Sequence, residues 1–194
     1  MDLPGPGLFL TVVLGYPRSR ATVTRGDEIM ERERLFAGKL IKVDRVRYRH
    51  RPWEVATMGE VAAILAVRRG DGLVLLVEQM RPAIGGQMLE IPAGRVEPGE
   101  SPEDCARREL AEETGYMVTS LESLAVFYTS PGFTDELVHL YLARDPVLLE
   151  SPPPGDQGED TRPRWIPIDE ARNSRDAKTL IAIQMLINEP GAGA

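Results

Sequence analysis

The sequence predicts an α/β fold in one main domain, because strand-like and helix-like segments follow one another along a chain of ordinary globular composition. The 194 residues are 42% apolar and 27% charged, which is enough for one well-buried core. Two continuously apolar segments, 61–67 and 73–79, are separated by an Asp71-Gly72 turn signal and predict central strands. A capped segment over 102–114 predicts a helix.

A segment with a different pattern precedes the central strands. Between residues 40 and 57, apolar and polar residues alternate, as in half-buried antiparallel strands. We therefore predict three parts: an N-terminal extension at 1–33, a small N-terminal antiparallel β element at 34–58 and the main domain at 59–190.

The helix over 102–114 carries its own start and stop signals. Ser101 is a good N-cap, and Pro102 suits the first helical position. Asp104 completes a capping box, and Gly115 suits the helix end. The rest of the chain predicts a short strand at 87–94, strands at 121–129 and 136–143, a Pro/Gly-rich loop at 150–163 and a C-terminal amphipathic helix containing Leu180, Ile183, Leu186 and Ile187.

Charge and cysteine content argue against several classes of protein. The net charge of -7 argues against nonspecific nucleic-acid binding as the main task. Cys105 is the only cysteine, so an intramolecular disulfide and a thiolate metal cluster are excluded, which fits a reducing cytoplasm. The apolar run at 8–14 is too short to span a bilayer and lacks the basic flank of a signal peptide. We expect a cytoplasmic protein with no membrane and no nucleic-acid partner.

Three carboxylates lie within one turn of the predicted helix. Glu109 forms like-charge pairs with Glu112 and Glu113, each of which costs a few tenths of a kcal/mol. Two interpretations are open at this point: a solvated acidic face, or a binding site for a hard cation such as Mg²⁺. Ala106 and Leu110 are expected to pack on a separate face, and Arg108 is spaced to orient Glu112.

The segment from Gly94 to Tyr116, "GRVEPGESPEDCARRELAEETGY", resembles the Nudix box. That motif is a glycine, five residues, a glutamate, seven residues, then Arg-Glu-aliphatic-x-Glu-Glu-x-Gly and usually an aliphatic residue. The only departure is Tyr116, at a position without a catalytic role. The matching positions are Gly94, Glu100, Arg108, Glu109, Leu110, Glu112, Glu113 and Gly115.

The resemblance implies an α/β/α sandwich around a mixed β-sheet, and hydrolysis of a nucleoside diphosphate linked to another group. It implies Glu109 and Glu113 as the principal metal ligands, with Glu112 and Glu100 assisting, and it makes Glu109, Glu113 and Arg108 candidate catalytic residues. The backbone carbonyl of Ala93 is a further implied ligand. The expected cofactor is Mg²⁺, with Mn²⁺ or another divalent cation as the alternative; bound metal would neutralise the diphosphate and activate water.

Features outside the box resemble the ADP-ribose pyrophosphatase branch. Pro131 lies sixteen residues beyond Gly115, in "SPGFTDE", although Ser130-Pro131-Gly132 also suits a simple turn. "VEQMRPA" resembles the branch's strand with a phosphate-binding arginine, here Arg81, and "LEIPAG" resembles its entry to the box.

The general base is also expected outside the box. "GEDTRPRWIP" resembles the loop that carries it in this branch and makes Glu159 the candidate, with Glu136 in reserve. Without the family, Glu159 is one acid in a solvated loop.

The branch commonly binds adenine through the N-terminal β element, often across a dimer with exchanged strands. Trp53 and Phe36 are candidates to stack on the base, and Glu54 to accept from its amino group, while each also suits an ordinary sheet residue. We expect a homodimer that hydrolyses ADP-ribose. The alternatives are a broader sugar-nucleotide or oxidised-nucleotide diphosphatase, and a Nudix module that senses ADP-ribose without turnover.

Overall fold

The computed structural model describes residues 31–155 and 160–188. Within them no helix is long and apolar enough to cross a membrane. In chain order the elements are β1 (Glu31–Ala37), β2 (Lys42–Tyr48), β3 (Arg51–Thr57), β4 (Glu60–Arg68), β5 (Leu73–Arg81), β6 (Gly86–Glu90), β7 (Ala93–Arg95), α1 (Pro102–Thr114), β8 (Tyr116–Met117), β9 (Glu122–Tyr128), β10 (Leu137–Arg144), β11 (Val147–Leu148), β12 (Arg162–Pro167), α2 (Ile168–Ala171) and α3 (Ala177–Ile187).

A mixed seven-stranded sheet forms the centre of the fold. Its path is β12-β5-β4-β10-β9, with β6 paired to β5 and β7 paired to β4. Strands β4 and β10 are parallel, and the other pairs are antiparallel. The described residues also form a three-stranded antiparallel sheet, β1-β2-β3, and a two-stranded pair, β8-β11.

Strand β4 is buried on both faces because helices cover the two sides of the sheet. Alternate residues of a strand point to opposite faces, so one set of β4 residues meets α1 and the next set meets α3. One cluster joins Ala62, Ile64 and Ala66 to Cys105, Ala106 and Leu110 of α1. The other joins Ala63, Leu65 and Val67 to Ala182, Ile183 and Leu186 of α3. The predicted α/β/α sandwich with a mixed sheet is confirmed.

Helix α1 has the bounds that its cap residues predict. The Ser101 hydroxyl accepts a hydrogen bond from the Asp104 backbone N–H at 3.1 Å and donates to the Asp104 carboxylate at 2.6 Å. The chain leaves the helix at Gly115 with φ 77°, a left-handed conformation that favours glycine. Both ends of the helix are therefore determined locally.

Two strands differ from the sequence expectations. The sequence of β1, ERERLFA, lacks the apolar alternation that predicts a strand, and the strand is exposed along its whole length. It includes residues 31–33, so the predicted boundary between the extension and the β element lies inside a strand, while residues 1–30 lie outside the described residues. β12 begins at Arg162, within the predicted loop, because pairing with β5 orders it.

The N-terminal sheet is joined to the main domain by the turn after β9. The backbone N–H of Ala56 donates to the carbonyl of Phe133 at 2.7 Å. The Asp135 carboxylate accepts from the backbone N–H groups of Met58 at 2.7 Å and Gly59 at 3.3 Å. These bonds hold the turn that carries Pro131 against the end of β3.

Candidate active site

Arg108 lies at the centre of the acidic helix face and binds three carboxylates. Its Nε and Nη2 donate to the two oxygens of Glu100 at 2.9 and 3.1 Å. Its Nη1 donates to Glu109 at 2.6 Å and to Glu112 at 2.9 Å. The predicted contact with Glu112 is therefore present, and Arg108 also connects the helix to the loop before it.

The guanidinium of Arg108 changes the protonation equilibrium of its partner. Its hydrogen bonds to Glu100 lower the pKa of that carboxyl below its usual range. A carboxyl whose pKa is lower in the folded state stabilises the fold above its unfolded-state pKa. That stabilisation is present at neutral pH and is lost as the pH falls through the folded-state pKa.

Glu109 and Glu113 are buried, with 8% and 6% of their surface exposed, and Glu112 is half-buried. This corrects the expectation that α1 separates a charged face from its packed face. The reason is the closeness of β7: Glu113 Oε2 accepts from the Ala93 backbone N–H at 3.1 Å. A Cβ added at Gly94 would lie 1.8 Å from Glu109 Oε1. Only glycine leaves room at position 94 for the glutamate.

The donor atoms around α1 and β7 fit a hard divalent cation in kind, because carboxylate oxygens are what Mg²⁺ prefers. Among residues 31–155 and 160–188, however, no three Asp, Glu, His or Cys side chains come together closely enough to hold a metal ion. Three of the carboxylates, Glu100, Glu109 and Glu112, instead accept hydrogen bonds from the guanidinium of Arg108. The predicted ligand set, including Ala93, stays a prediction.

Arg81, the predicted phosphate-binding residue, is held by a buried carboxylate. Its Nε and Nη2 donate to the two oxygens of Glu90 at 2.7 and 2.8 Å. Lys178 Nζ lies 3.5 Å from Glu90 Oε2. Neither partner of Glu90 was predicted from the sequence. The lone glutamate in the apolar segment "MLEIPAG" was a signal for them, because a buried carboxylate needs a cation.

Two of the predicted substrate residues meet in one groove. It has a volume of about 340 Å³ and is lined by Val46, Tyr48, Trp53, Val55, Pro131 and Gly132. The guanidinium of Arg51 lies 4.9 Å from the centre of the Trp53 ring. Pro131 thus belongs to a turn, as its sequence context suggests, and that turn forms one wall of a groove.

The other two N-terminal candidates lie elsewhere on the sheet. Successive residues of a strand point to opposite faces, so Glu54 does not share a face with Trp53. Phe36 pairs with Val43 across a register shift and lies on the same face as Glu54. Within one chain, the sheet therefore does not bring Glu54 and Phe36 to the groove with Trp53.

The candidates for the general base have different surroundings. The Glu136 carboxylate accepts from the Thr129 hydroxyl at 2.7 Å, which ties it to the end of β9. Glu159 lies outside the described residues.

The family model described as "NUDIX domain" matches residues 58–184, about two thirds of the chain. The chain belongs to the Nudix family. Its Nudix domain includes the central sheet, α1, the Arg81–Glu90 pair and most of α3, while β1–β3 lie before it.

Two relatives align with most of this Nudix hydrolase. The ADP-ribose pyrophosphatase of Bacillus subtilis (strain 168) is 36% identical over 171 residues, which cover 82% of this chain and 92% of the relative. The GDP-mannose pyrophosphatase of Cronobacter sakazakii is 36% identical over 146 residues, covering 69% of this chain and 76% of the relative. These likenesses confirm that the chain is an enzyme of the Nudix hydrolase type.

A solved structure described as an ADP compounds hydrolase superposes with a TM-score of 0.71. It covers 84% of this chain and 93% of the other chain, at 20% sequence identity. At that identity, the likeness supports the fold alone.

Proposed function

We propose that this Nudix hydrolase cleaves the diphosphate of ADP-ribose with the help of Mg²⁺, giving AMP and ribose 5-phosphate. The observation that carries the proposal is the groove in which Trp53 faces Pro131. An aromatic ring opposite a rigid turn suits a planar base, because a base can stack on the ring. Similarity to an ADP-ribose pyrophosphatase over 92% of that relative supports the same substrate.

Glu109, Glu113 and the carbonyl of Ala93 are the residues that would hold the metal, with Glu112 and Glu100 assisting. Bound there, Mg²⁺ supplies charge neutralisation of the diphosphate and lowers the pKa of the attacking water. The alternative metal is Mn²⁺. Arg108 orients the carboxylates from the side, as its bonds to Glu100, Glu109 and Glu112 indicate.

The chain supplies the remaining functions through side chains outside the motif. Arg81 binds a substrate phosphate through the guanidinium hydrogens that Glu90 does not use. Glu159 accepts the proton of the attacking water, with Glu136 in reserve. Trp53 stacks on the adenine. Glu54 and Phe36 contribute from the opposite face of the sheet through a second copy of the chain.

The assignment of Glu54 and Phe36 to a second copy requires a homodimer with exchanged N-terminal strands. The homodimer and a cytoplasmic location are both part of the proposal. Exposed aromatic side chains on both faces of the sheet support it: Trp53 is 42% exposed and Phe36 is 55% exposed. Light scattering coupled to size exclusion tests it. We expect the mass of two chains, and a single-chain mass for the purified protein at micromolar concentration contradicts the dimer.

A broader activity on sugar nucleotides is the second candidate, favoured by the similarity to a GDP-mannose pyrophosphatase. The experiment that separates the two is a panel of ADP-ribose, GDP-mannose, other sugar nucleotides and oxidised nucleotides, assayed with Mg²⁺ and again with chelator. We expect the highest kcat/KM for ADP-ribose and no turnover with chelator. A higher kcat/KM for GDP-mannose rejects the ADP-ribose assignment, and equal turnover with chelator rejects the metal.

The general base has its own test. Glu159→Gln should lower kcat by about 100-fold with little change in KM, because a general base acts in the transition state. Glu136→Gln is the matched comparison, with the same chemical change at the reserve position. A large loss in Glu136→Gln alone moves the base to Glu136.

A further inference from the structure

The pair of Arg81 and Glu90 has one end in the core and one end in solvent. The side chain of Glu90 is 3% exposed, whereas that of Arg81 is 39% exposed. Hydrogen bonding to Glu90 is the main cause that raises the pKa of Arg81, so the guanidinium stays charged. Arg81 is therefore anchored from inside while part of its guanidinium faces outward.

The geometry of the pair determines which hydrogens remain free for a ligand. A guanidinium is planar and carries five N–H donors. Glu90 takes the Nε hydrogen and one Nη2 hydrogen in a side-by-side arrangement. The two Nη1 hydrogens and the second Nη2 hydrogen point away from the carboxylate. Two of these donors, one on Nη1 and one on Nη2, lie side by side on a second edge that suits two oxygens of a phosphate.

Glu90 is itself held by the C-terminal helix. Lys178 Nζ lies 3.5 Å from Glu90 Oε2 and donates to Asp176 at 2.6 Å. Asp176 caps α3 by accepting from the Thr179 backbone N–H at 2.9 Å. Thr179 Oγ1 in turn accepts from the backbone N–H of Ile91, the residue after Glu90, at 2.9 Å. Both the backbone and the carboxylate at this point are thus connected to the start of α3.

We propose that Glu90 is a positioning residue that directs the free edge of the Arg81 guanidinium toward the substrate diphosphate, with Lys178 as the cation that holds Glu90. The inference rests on the proposed function, because it takes Arg81 to bind phosphate. Without Glu90, the Arg81 side chain at the end of β5 loses its fixed orientation. Substrate binding then becomes less favourable by the free energy needed to order that side chain.

A double-mutant cycle in the full chain tests the inference. Arg81→Ala, Glu90→Gln and the double variant are assayed with ADP-ribose and Mg²⁺, and each is checked by thermal denaturation. We expect Glu90→Gln to lower kcat/KM by roughly 10- to 100-fold, mostly through KM, because a misplaced binding group loses this much. The double variant should match Arg81→Ala within about twofold, since Glu90 acts only through Arg81.

Asp145→Asn is the matched control. Asp145 also pairs with an arginine, Arg69, at 2.7 Å, and the substitution is equally conservative. We expect unchanged kcat/KM in this variant. An equal loss in the control, or losses in the two single variants that multiply fully in the double variant, overturns the positioning role.

Two outcomes separate this inference from the proposed function. If Arg81→Ala lowers kcat/KM and Glu90→Gln does not, Arg81 binds substrate unaided and only the positioning role fails. If Arg81→Ala has no effect, the phosphate-binding role of Arg81 is rejected, and the positioning role of Glu90 is rejected with it.

If the Glu90→Gln variant does not fold, Lys178→Met takes its place. We expect KM to rise roughly two- to fivefold in that variant. An unchanged KM overturns the inference.

Discussion

Helix α1 with β7 and the N-terminal sheet β1–β3 both carry candidate site residues, but they are built differently. In the first region Glu109 and Glu113 are buried, and each is close to a fixed group: Arg108 and the space left by Gly94 for Glu109, and the Ala93 backbone for Glu113. In the second, β1 is exposed along its length and Trp53 is 42% exposed.

The difference matches the two tasks that a diphosphate hydrolase must perform. Chemistry requires carboxylates held within a fraction of an ångström, which a capped helix packed on a sheet provides. Under the proposed function the N-terminal sheet binds the base, and its exposed aromatic side chains offer a ring on which a base can stack. We therefore expect changes in α1 and β7 to affect kcat, and changes in β1–β3 to affect KM.

The largest effect is expected for Glu113→Gln, which should lower metal-dependent turnover by at least ~100-fold. The fold should survive, because an amide oxygen still accepts from Ala93 and a like-charge pair is relieved. Product release with Mg²⁺ and circular dichroism measure the two effects. The control is Glu103→Gln, on the exposed side of the same helix, where Glu103 pairs with Arg107 at 2.6 Å. Normal turnover in Glu113→Gln contradicts the metal assignment.

Gly94→Ala should affect both turnover and stability. The new Cβ lies 1.8 Å from Glu109 Oε1, so the glutamate must move. We expect a loss of about 1–3 kcal/mol in the free energy of unfolding, together with a lower kcat. Urea denaturation and steady-state kinetics measure these. Gly70→Ala is the control, because a Cβ there meets nothing within 4 Å. Equal stability of the two variants contradicts the role of Gly94 as the space for Glu109.

Trp53→Ala tests the other region. Stacking of a base on an aromatic ring is worth about 1–3 kcal/mol, so KM should rise roughly tenfold while kcat changes little. Leu180→Ala, at a similarly exposed apolar residue on α3, should change neither constant. A fall in kcat without a rise in KM in Trp53→Ala contradicts the expectation that changes in β1–β3 affect KM.

The smallest effect is expected for Asp135→Ala, at the junction of the two regions. Asp135 accepts from the backbone N–H groups of Met58 and Gly59. Their loss should cost about 1 kcal/mol of stability and loosen the turn that carries Pro131. Hydrogen exchange should speed up at residues 56–59 and 131–135 while α1 keeps its protection. Unchanged exchange at the turn shows that other contacts hold the sheet.

Local signals predicted α1 almost completely. Its bounds follow from Ser101, Pro102 and Gly115, since caps act within a single turn. The central strands and α3 follow from apolar patterns, because one or both faces of each element are buried. The start of β1 was placed three residues too late, because all seven of its residues are exposed and no apolar alternation marks where the strand begins.

The sequence by itself determined the Nudix motif and its candidate metal ligands, because their spacing lies within one helix and the loop before it. Only the tertiary structure decided how deeply Glu109 and Glu113 are buried, since that depends on the approach of β7 to α1. It also decided that Arg81 meets Glu90 and Lys178, and that Trp53 meets Pro131. These groups come from separate elements, and only packing of the sheet and α3, or of the N-terminal sheet and the 130–136 turn, brings them together.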